Sequence, residues 1–323
     1  MIEKVVKSTL ERTERTRNRK RRRRPRWGRI ILALILLVVV AGGIYSFIQY
    51  KIGLSEAQDG SFAKDGELYD DFNGSLPNDG KMNVLLLGSD SRGEDHARTD
   101  SILIAHYDQN TKQPKIVSLM RDMYVDVPGH GKQKLNSAFA FGGPELLRKT
   151  IEENFGVDIN YYAVVDFQGF PKVVDAIAPD GITVTVEEEM SSGIGMTLHE
   201  GKQTLHGDKL LGYVRFRHDS LSDFGRVQRQ QEVLTKLKKE AASIGSVFKL
   251  PKLLGLTDPY VDTNIDQKTL LLLGKDFATG STKEVKTLRL PLDGTFENAR
   301  EDVGSVLSID KEENKKALQE FLD

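Results

Sequence analysis

The pattern of apolar and polar positions divides the chain into three parts. From Ile30 to Ile48 runs IILALILLVVVAGGIYSFI, nineteen residues without a charge. At ~1.5 Å rise per residue they reach ~28 Å, close to a bilayer core of ~30 Å, so the run predicts a membrane-spanning helix. It exceeds the roughly 7–15 apolar residues of a cleaved signal core, which favours a retained anchor. Residues 49–81, including SEAQDGSFAKDGELYDDFNGSLPNDGK, are rich in Gly, Asp and Ser and lack sustained apolar periodicity, and they predict a stalk.

Beyond residue 81, short Val/Ile/Leu-rich runs alternate with helical spacing. Strands are predicted at Met82–Leu87, Ser101–Tyr107, Lys115–Leu119, Tyr124–Val127, Tyr161–Phe167, Ile182–Val186 and Glu284–Leu290. Helices are predicted at Asn136–Asn154, Phe170–Ile177, Gly207–Val214, Phe224–Ala242, Gln267–Ala278 and Lys311–Leu322, with a break at Pro251–Gly255. The alternation implies an α/β fold: one αβα sandwich over residues 82–323, with helices on both faces of a central mixed sheet.

Charge then orients the chain. Residues 1–29 carry 13 Lys/Arg against 3 Glu, whereas the whole chain of 323 residues has net charge −1. Positive residues beside a first span stay in the cytoplasm, so the tail is expected inside and residues 49–323 outside the membrane. Topology and anionic lipid explain the basic block, and no nucleic-acid partner is expected. The chain has no cysteine, so no disulfide can support an exported domain.

Three polar clusters follow apolar strands. In the first, GSDSRGEDHARTDS, Asp90 and Asp100 could share one hard divalent cation, while Arg92 and Arg98 offer planar forks to phosphate oxygens. A polar turn with local Asp–Arg pairs is the plain alternative. The second is SLMRD, with Arg121 at a strand end, followed by Lys134 and by Asn136 as an expected N-cap. The third is YVRFRHD with DFGRVQRQQ. If extended, Arg215 and Arg217 point the same way, and Arg226, Arg229 and Gln230 stand at i, i+3 and i+4 on one helix face. A solvated face paired with Asp219 and Asp223 competes with that reading. Repetition of the theme at three element ends favours an anion site.

Other chemistry is poorly supported. Six histidines are scattered without metal-ligand spacing, and no G-x-S-x-G elbow marks a serine hydrolase. Arginines beside the carboxylates argue against a glycosidase, because nearby cations lower the pKa that a general acid needs raised.

Taken together, VLLLGSDSR with ARTDSILI, IVSLMRD with KLNSAFAFGG, NYYAVVDFQGF with VVDAIAPDGITV, and VRFRHD with DFGRVQRQQ resemble the LytR-CpsA-Psr family of Gram-positive bacteria over about residues 82–242. That resemblance implies an αβα sandwich that holds a polyprenyl (pyro)phosphate lipid and transfers its glycopolymer, such as teichoic acid or capsule, to a peptidoglycan N-acetylmuramic acid hydroxyl. It implies Asp90 and Asp100 as carboxylates for Mg²⁺, and Arg98, Arg121, Arg215 and Arg217 as (pyro)phosphate binders. Arg226 and Gln230 match later positions near the head group. Among these, Asp90, Arg98, Asp100, Arg121 and Arg217 are the expected catalytic set. APDG at Ala178–Gly181 departs from the family's plainer glycine turn. A membrane-anchored regulator or a non-catalytic polyprenyl-phosphate carrier are the rival readings.

Overall fold

A computed structural model describes residues 27–57, 71–89, 99–167, 169–243 and 249–323. It divides into two compact units, Met1–Tyr45 and Ser46–Asp323. Helix α1, Trp27–Glu56, runs through their boundary. Its stretch from Ile35 is long and apolar enough to cross a membrane by length and composition. Ile35, Leu36, Leu37 and Val38 are each more than half exposed, an apolar surface suited to lipid rather than water.

The second unit is built on a six-stranded sheet. Its strands are β1 (Lys81–Ser89), β2 (Thr99–Asp108), β3 (Gln113–Leu119), β6 (Tyr161–Asp166), β9 (Val261–Thr263) and β10 (Lys286–Leu290), in the order β10-β3-β2-β1-β6-β9. β1 pairs antiparallel with β2 and parallel with β6, so the sheet is mixed. β4 (Met123–Val127), β5 (Gly131–Lys134), β11 (Phe296–Glu301) and β12 (Gly304–Ile309) form a second sheet in the order β11-β12-β4-β5. β7 (Ile182–Val186) and β8 (Gly201–Leu205) make a separate ribbon.

Alternation on the central strands sends side chains to both faces of the sheet. On one face, Leu85, Leu87, Ile102 and Ile104 pack with Leu147, Ile151 and Phe155 of α2 (Leu135–Phe155) and with Leu318 and Leu322 of α8 (Lys311–Leu322). On the other side lie α3 (Phe170–Ile177), α4 (Gly207–Arg215) and α5 (Asp223–Ser243), whose Val174, Leu210, Val214 and Val233 share a core with the ribbon. α6 (Leu250–Thr257) and α7 (Gln267–Ala278) complete the order. This is the expected αβα architecture with a mixed central sheet.

Four local expectations change. Helix α1 continues to Glu56 rather than ending near Ile48, and Gly53 meets α6 so closely that a Cβ there would lie 2.0 Å from the Lys252 carbonyl oxygen. Residues 71–80 also pack on the domain: Phe72 lies 5.0 Å from Tyr162, ring to ring, and Asn160 donates to the Ser75 carbonyl. The part of 49–81 that is described therefore belongs to the folded unit. Pro251 does not break the chain but sits in the first turn of α6, where its missing N–H costs nothing. Asn136 is not a cap, because α2 begins at Leu135; it is buried, and its N–H reaches the Arg121 carbonyl.

Candidate functional site

The ends of β2 and β3 and the start of α5 meet in one place. The β1–β2 register brings Gly88 opposite Ser101, which leaves Asp100 at the strand end. β3 runs antiparallel beside β2, so Arg121, two residues past its end, comes beside Asp100. Arg121 Nη1 lies 2.5 Å from Asp100 Oδ1, and its Nε lies 3.2 Å from both Asp122 Oδ2 and Asp223 Oδ2. Lys134 Nζ closes on Asp122 Oδ1 at 2.8 Å. Arg226, one turn into α5, reaches Asp223 Oδ2 at 3.4 Å.

Electrostatics follow from this crowding. Burial works to raise the Asp100 pKa, but the charge and hydrogen bond of Arg121, with Arg226 and Arg217 beyond, hold it below its ordinary value. Arg226 is the most hidden cation of the cluster, with its side chain 5% exposed, and among the described residues its Nε has no hydrogen-bond partner. Burial lowers its pKa, opposed by Asp223 and reinforced by Arg121. A buried guanidinium that is not fully paired is suited to an anion.

Two cavities adjoin the cluster. A polar cleft of about 510 Å³ is lined by Arg121, Asp122, Arg217, His218 and Asp223, and by Asn298 of β11 and Ser305 of β12. A narrower apolar groove of about 150 Å³ lies between the sheet and the helices, lined by Leu86, Leu103, Phe167, Phe170, Leu211 and Leu234. Gly88 contributes to that lining, and a Cβ there would stand 3.1 Å from the Ser101 Cβ. Arg215 and Gln230 are its charged and amide groups. Gln230 donates to Ser101 Oγ at 2.8 Å, and the Arg215 guanidinium lies 4.6 Å from the centre of the Phe167 ring.

Of the expected site residues, the structure therefore places Arg121 and Arg217 in the cleft lining, joins Asp100 and Arg226 to it through Arg121 and Asp223, and places Arg215 and Gln230 at the groove. Asp90, Arg92 and Arg98 lie outside the described residues. Arg215 and Arg217 are not on a common strand: Arg215 closes α4, residues 216–218 follow as irregular chain, and the two side chains line different cavities. Arg229 leaves the group as well. It pairs with Asp219 Oδ2 at 2.5 Å and donates to the Tyr213 and Phe216 carbonyls, a structural clamp on the α4–α5 turn. Asp223 is central to the network, while Asn298 and Ser305 were unforeseen. They sit on a hairpin whose charged outer positions obscure its alternation.

Among the described residues no group of three or more His, Asp or Glu is placed to hold a metal ion. Asp100 alone can still serve Mg²⁺, which usually takes one or two protein carboxylates and completes its shell with phosphate oxygens and water.

A chain called "Regulatory protein MsrR" from Staphylococcus aureus is 46% identical over 281 residues, covering 87% of this chain and 85% of that protein. "Polyisoprenyl-teichoic acid--peptidoglycan teichoic acid transferase TagU" from Oceanobacillus iheyensis is 33% identical over 291 residues, 87% of this chain and 89% of that protein. The solved structure of Bacillus subtilis YwtF (TagT) with bound octaprenyl pyrophosphate lipid superposes with a TM-score of 0.57 at 28% identity, covering 77% of this chain and 93% of that one. The LytR_cpsA_psr family pattern matches residues 46–321, and with it the chain belongs to the LytR-CpsA-Psr family.

Proposed function

We propose that this protein is a phosphotransferase that moves a glycopolymer from a polyprenyl pyrophosphate carrier to a hydroxyl of peptidoglycan N-acetylmuramic acid. One observation carries the reading: Ser101 of the apolar groove is the chain neighbour of Asp100, whose ion pair with Arg121 leads to the polar cleft, so a prenyl chain and its pyrophosphate have neighbouring places. The TagT structure holds octaprenyl pyrophosphate, and TagU is named as a transferase of teichoic acid from a polyisoprenyl carrier to peptidoglycan, which supports the reading.

Phosphoryl transfer asks the protein mainly for positioning and charge stabilisation. Arg121, Arg217 and Arg226 would hold pyrophosphate oxygens, and Arg215 with Gln230 would sit where the prenyl chain joins the head group. The acceptor oxygen attacks the phosphorus that carries the polymer. The bond from that phosphorus to the bridging oxygen breaks, polyprenyl phosphate leaves, and the hydroxyl proton is released. Asp100, with Asp90 as read from the sequence, would hold Mg²⁺, which supplies neutralisation of the pyrophosphate charge. The depressed pKa of Asp100 makes it a poor proton acceptor, which supports a metal-holding role over that of a base. Asn298 and Ser305 also line the cleft and would offer neutral hydrogen bonds to sugar hydroxyls. The basic tail would lie in the cytoplasm and the domain outside.

The test is transfer by the full chain in nanodiscs with a synthetic lipid-linked donor, peptidoglycan fragments and Mg²⁺. The expected product is a phosphodiester, with Arg121→Ala and Arg217→Ala lowering kcat/KM at least ~100-fold, the scale of losing one transition-state charge partner. No product with any polymer class, or full activity in both variants, refutes it. The relative named as a regulator favours a second reading, in which the domain binds its lipid as a signal. Replacing residues 1–26 with a short Lys pair separates the two: full wall-polymer attachment after the swap leaves the tail no regulatory role.

A further inference from the structure

The second unit holds the end of α1 tightly. Phe47, Ile48 and Ile52, all within that unit, present apolar side chains that are 62%, 49% and 37% exposed. The next turns are packed against the domain. A Cβ on Gly53 would lie 2.0 Å from the Lys252 carbonyl oxygen, and one on Gly255 would lie 2.0 Å from that of Tyr50, so α6 crosses α1 here with the two backbones in contact. The Tyr50 side chain also comes within hydrogen-bonding reach of Asp258 and Gln267, at the end of α6 and the start of α7. Gly53 stands ~7.5 Å beyond Ile48 along the helix, at ~1.5 Å per residue. The headgroup layer on each side of a hydrocarbon core is about 5–8 Å thick, so with the apolar run of α1 in the core, α6 lies at headgroup depth. A tilt of α1 brings it closer to the core.

The side chains carried to that depth suit the layer. Between the end of α1, α3 and α6 lies a cavity of about 680 Å³. Lys172 of α3, Lys249 and Lys252 line it, together with the apolar Leu253 and Leu256. Its two carboxylates are engaged: Glu56 pairs with Lys252 at 2.8 Å, and Asp175 accepts from the Gly207 N–H at 2.8 Å. Lys172 and Lys249 are exposed, and among the described residues neither has a carboxylate within ion-pair distance. Two unpaired ammonium groups beside leucines match an anionic lipid, whose phosphate meets the charge while its glycerol and first methylenes cover the apolar surface. α3 joins this cavity to the apolar groove, because Phe170 at the start of the same helix lines that groove.

We infer that the cavity seats the headgroup of an anionic phospholipid in the leaflet where α1 ends, which docks the domain on the membrane surface and brings the α3 wall of the groove close to the bilayer. This lipid is a docking partner and not the prenyl carrier. The inference rests on α1 crossing a bilayer and is independent of the transferase reading.

The experiment is hydrogen–deuterium exchange of the full chain in phosphatidylcholine nanodiscs and in nanodiscs enriched in phosphatidylglycerol. In wild type the amides of residues 249–257 should exchange at least ~3-fold more slowly in the anionic discs, as expected when two lysines meet an anionic surface. In K172Q/K249Q that difference should disappear with an unchanged melting temperature. K268Q/K275Q removes the same charge from exposed positions of α7 outside the cavity and should keep the wild-type difference. Equal exchange of wild type in the two discs, or an undiminished difference in K172Q/K249Q, would overturn the seat. So would an equal loss in both double variants, which reduces the effect to diffuse attraction. Polymer transfer by a chain that fails this test would leave the transferase reading standing.

Discussion

Asp223→Asn tests whether the arginine cluster is held together by charge and is waiting for an anion. Asp223 Oδ2 serves two guanidiniums, Arg121 at 3.2 Å and Arg226 at 3.4 Å. Arg121 loses little, because Asp100 and Asp122 still flank it and its side chain is 22% exposed. Arg226 loses much more: it is 5% exposed, and among the described residues Asp223 is its one carboxylate within ion-pair distance. Removing one partner of a buried pair costs about 3–5 kcal/mol, and the Asn oxygen can recover part of that by accepting a hydrogen bond. The expected loss is therefore about 2–3 kcal/mol, or roughly 5–10 °C in Tm for a domain of this size. Arg226→Met alone should cost less, and the double variant should recover most of the Asp223→Asn loss, because no unpaired charge is left. Inorganic pyrophosphate should raise the Tm of Asp223→Asn more than that of wild type, since the anion replaces the missing carboxylate. Urea and thermal unfolding of all four proteins, with and without pyrophosphate, decide the matter. A loss under ~0.5 kcal/mol, or a double variant no more stable than Asp223→Asn, would refute the reasoning.

Three further outcomes follow from other parts of the molecule. Burial, with Lys115 and Lys81 nearby, lowers the His106 pKa from 6.5 to about 4. The folded state therefore resists a proton that the unfolded chain accepts; this stability is complete above pH 6.5 and is lost as pH falls toward 4. Between pH 7 and 4.5 wild type should lose roughly 2–3 kcal/mol more than His106→Gln in urea unfolding, and parallel curves would contradict it. Gly53→Ala places a Cβ 2.0 Å from the Lys252 carbonyl oxygen and should cost ~1–3 kcal/mol while speeding amide exchange in α6; unchanged exchange would show that the contact does not hold the helix. Leu211→Trp fills the groove and should weaken binding of octaprenyl pyrophosphate at least ~10-fold while sparing inorganic pyrophosphate, and equal loss for both would detach the groove from the lipid.

The sequence shows an element clearly where one physical signal dominates. β7, α3, α7 and α8 match their predicted bounds because alternation or a 3.6-residue stripe meets little competition there. β5, β8 and β11 carry GKQK, GKQTL and FENARE, in which polar residues hide any alternation, so they are invisible until a neighbouring strand supplies their hydrogen bonds. The site shows the same division. Arg121 was legible because it follows an apolar strand directly. Arg226 and Arg229 were not separable, since at ~100° per residue they stand only about 60° apart on the helix. What separates them is Asp219, which captures Arg229 from the preceding turn. No helical spacing contains that information.

The C-terminal end of α1 also differs from the expected stalk. A flexible segment of about thirty residues would raise the local concentration of a membrane-bound donor through its length alone. Here the last turns of α1 are part of the folded unit: Gly53 and Gly255 let the backbones of α1 and α6 approach, with a Gly255 Cβ falling 2.0 Å from the Tyr50 carbonyl oxygen. Glu56 pairs with Lys252 at 2.8 Å. Residues 71–80 belong to that same unit, with Phe72 packed against the main core. The two described flanks of residues 58–70 are thus held on one body, which a free stalk would not require. Inserting residues between 57 and 71 should therefore leave amide exchange in α6 unchanged, whereas Gly255→Ala, with its Cβ against the Tyr50 carbonyl oxygen, should speed it; unchanged exchange in Gly255→Ala would refute the contact.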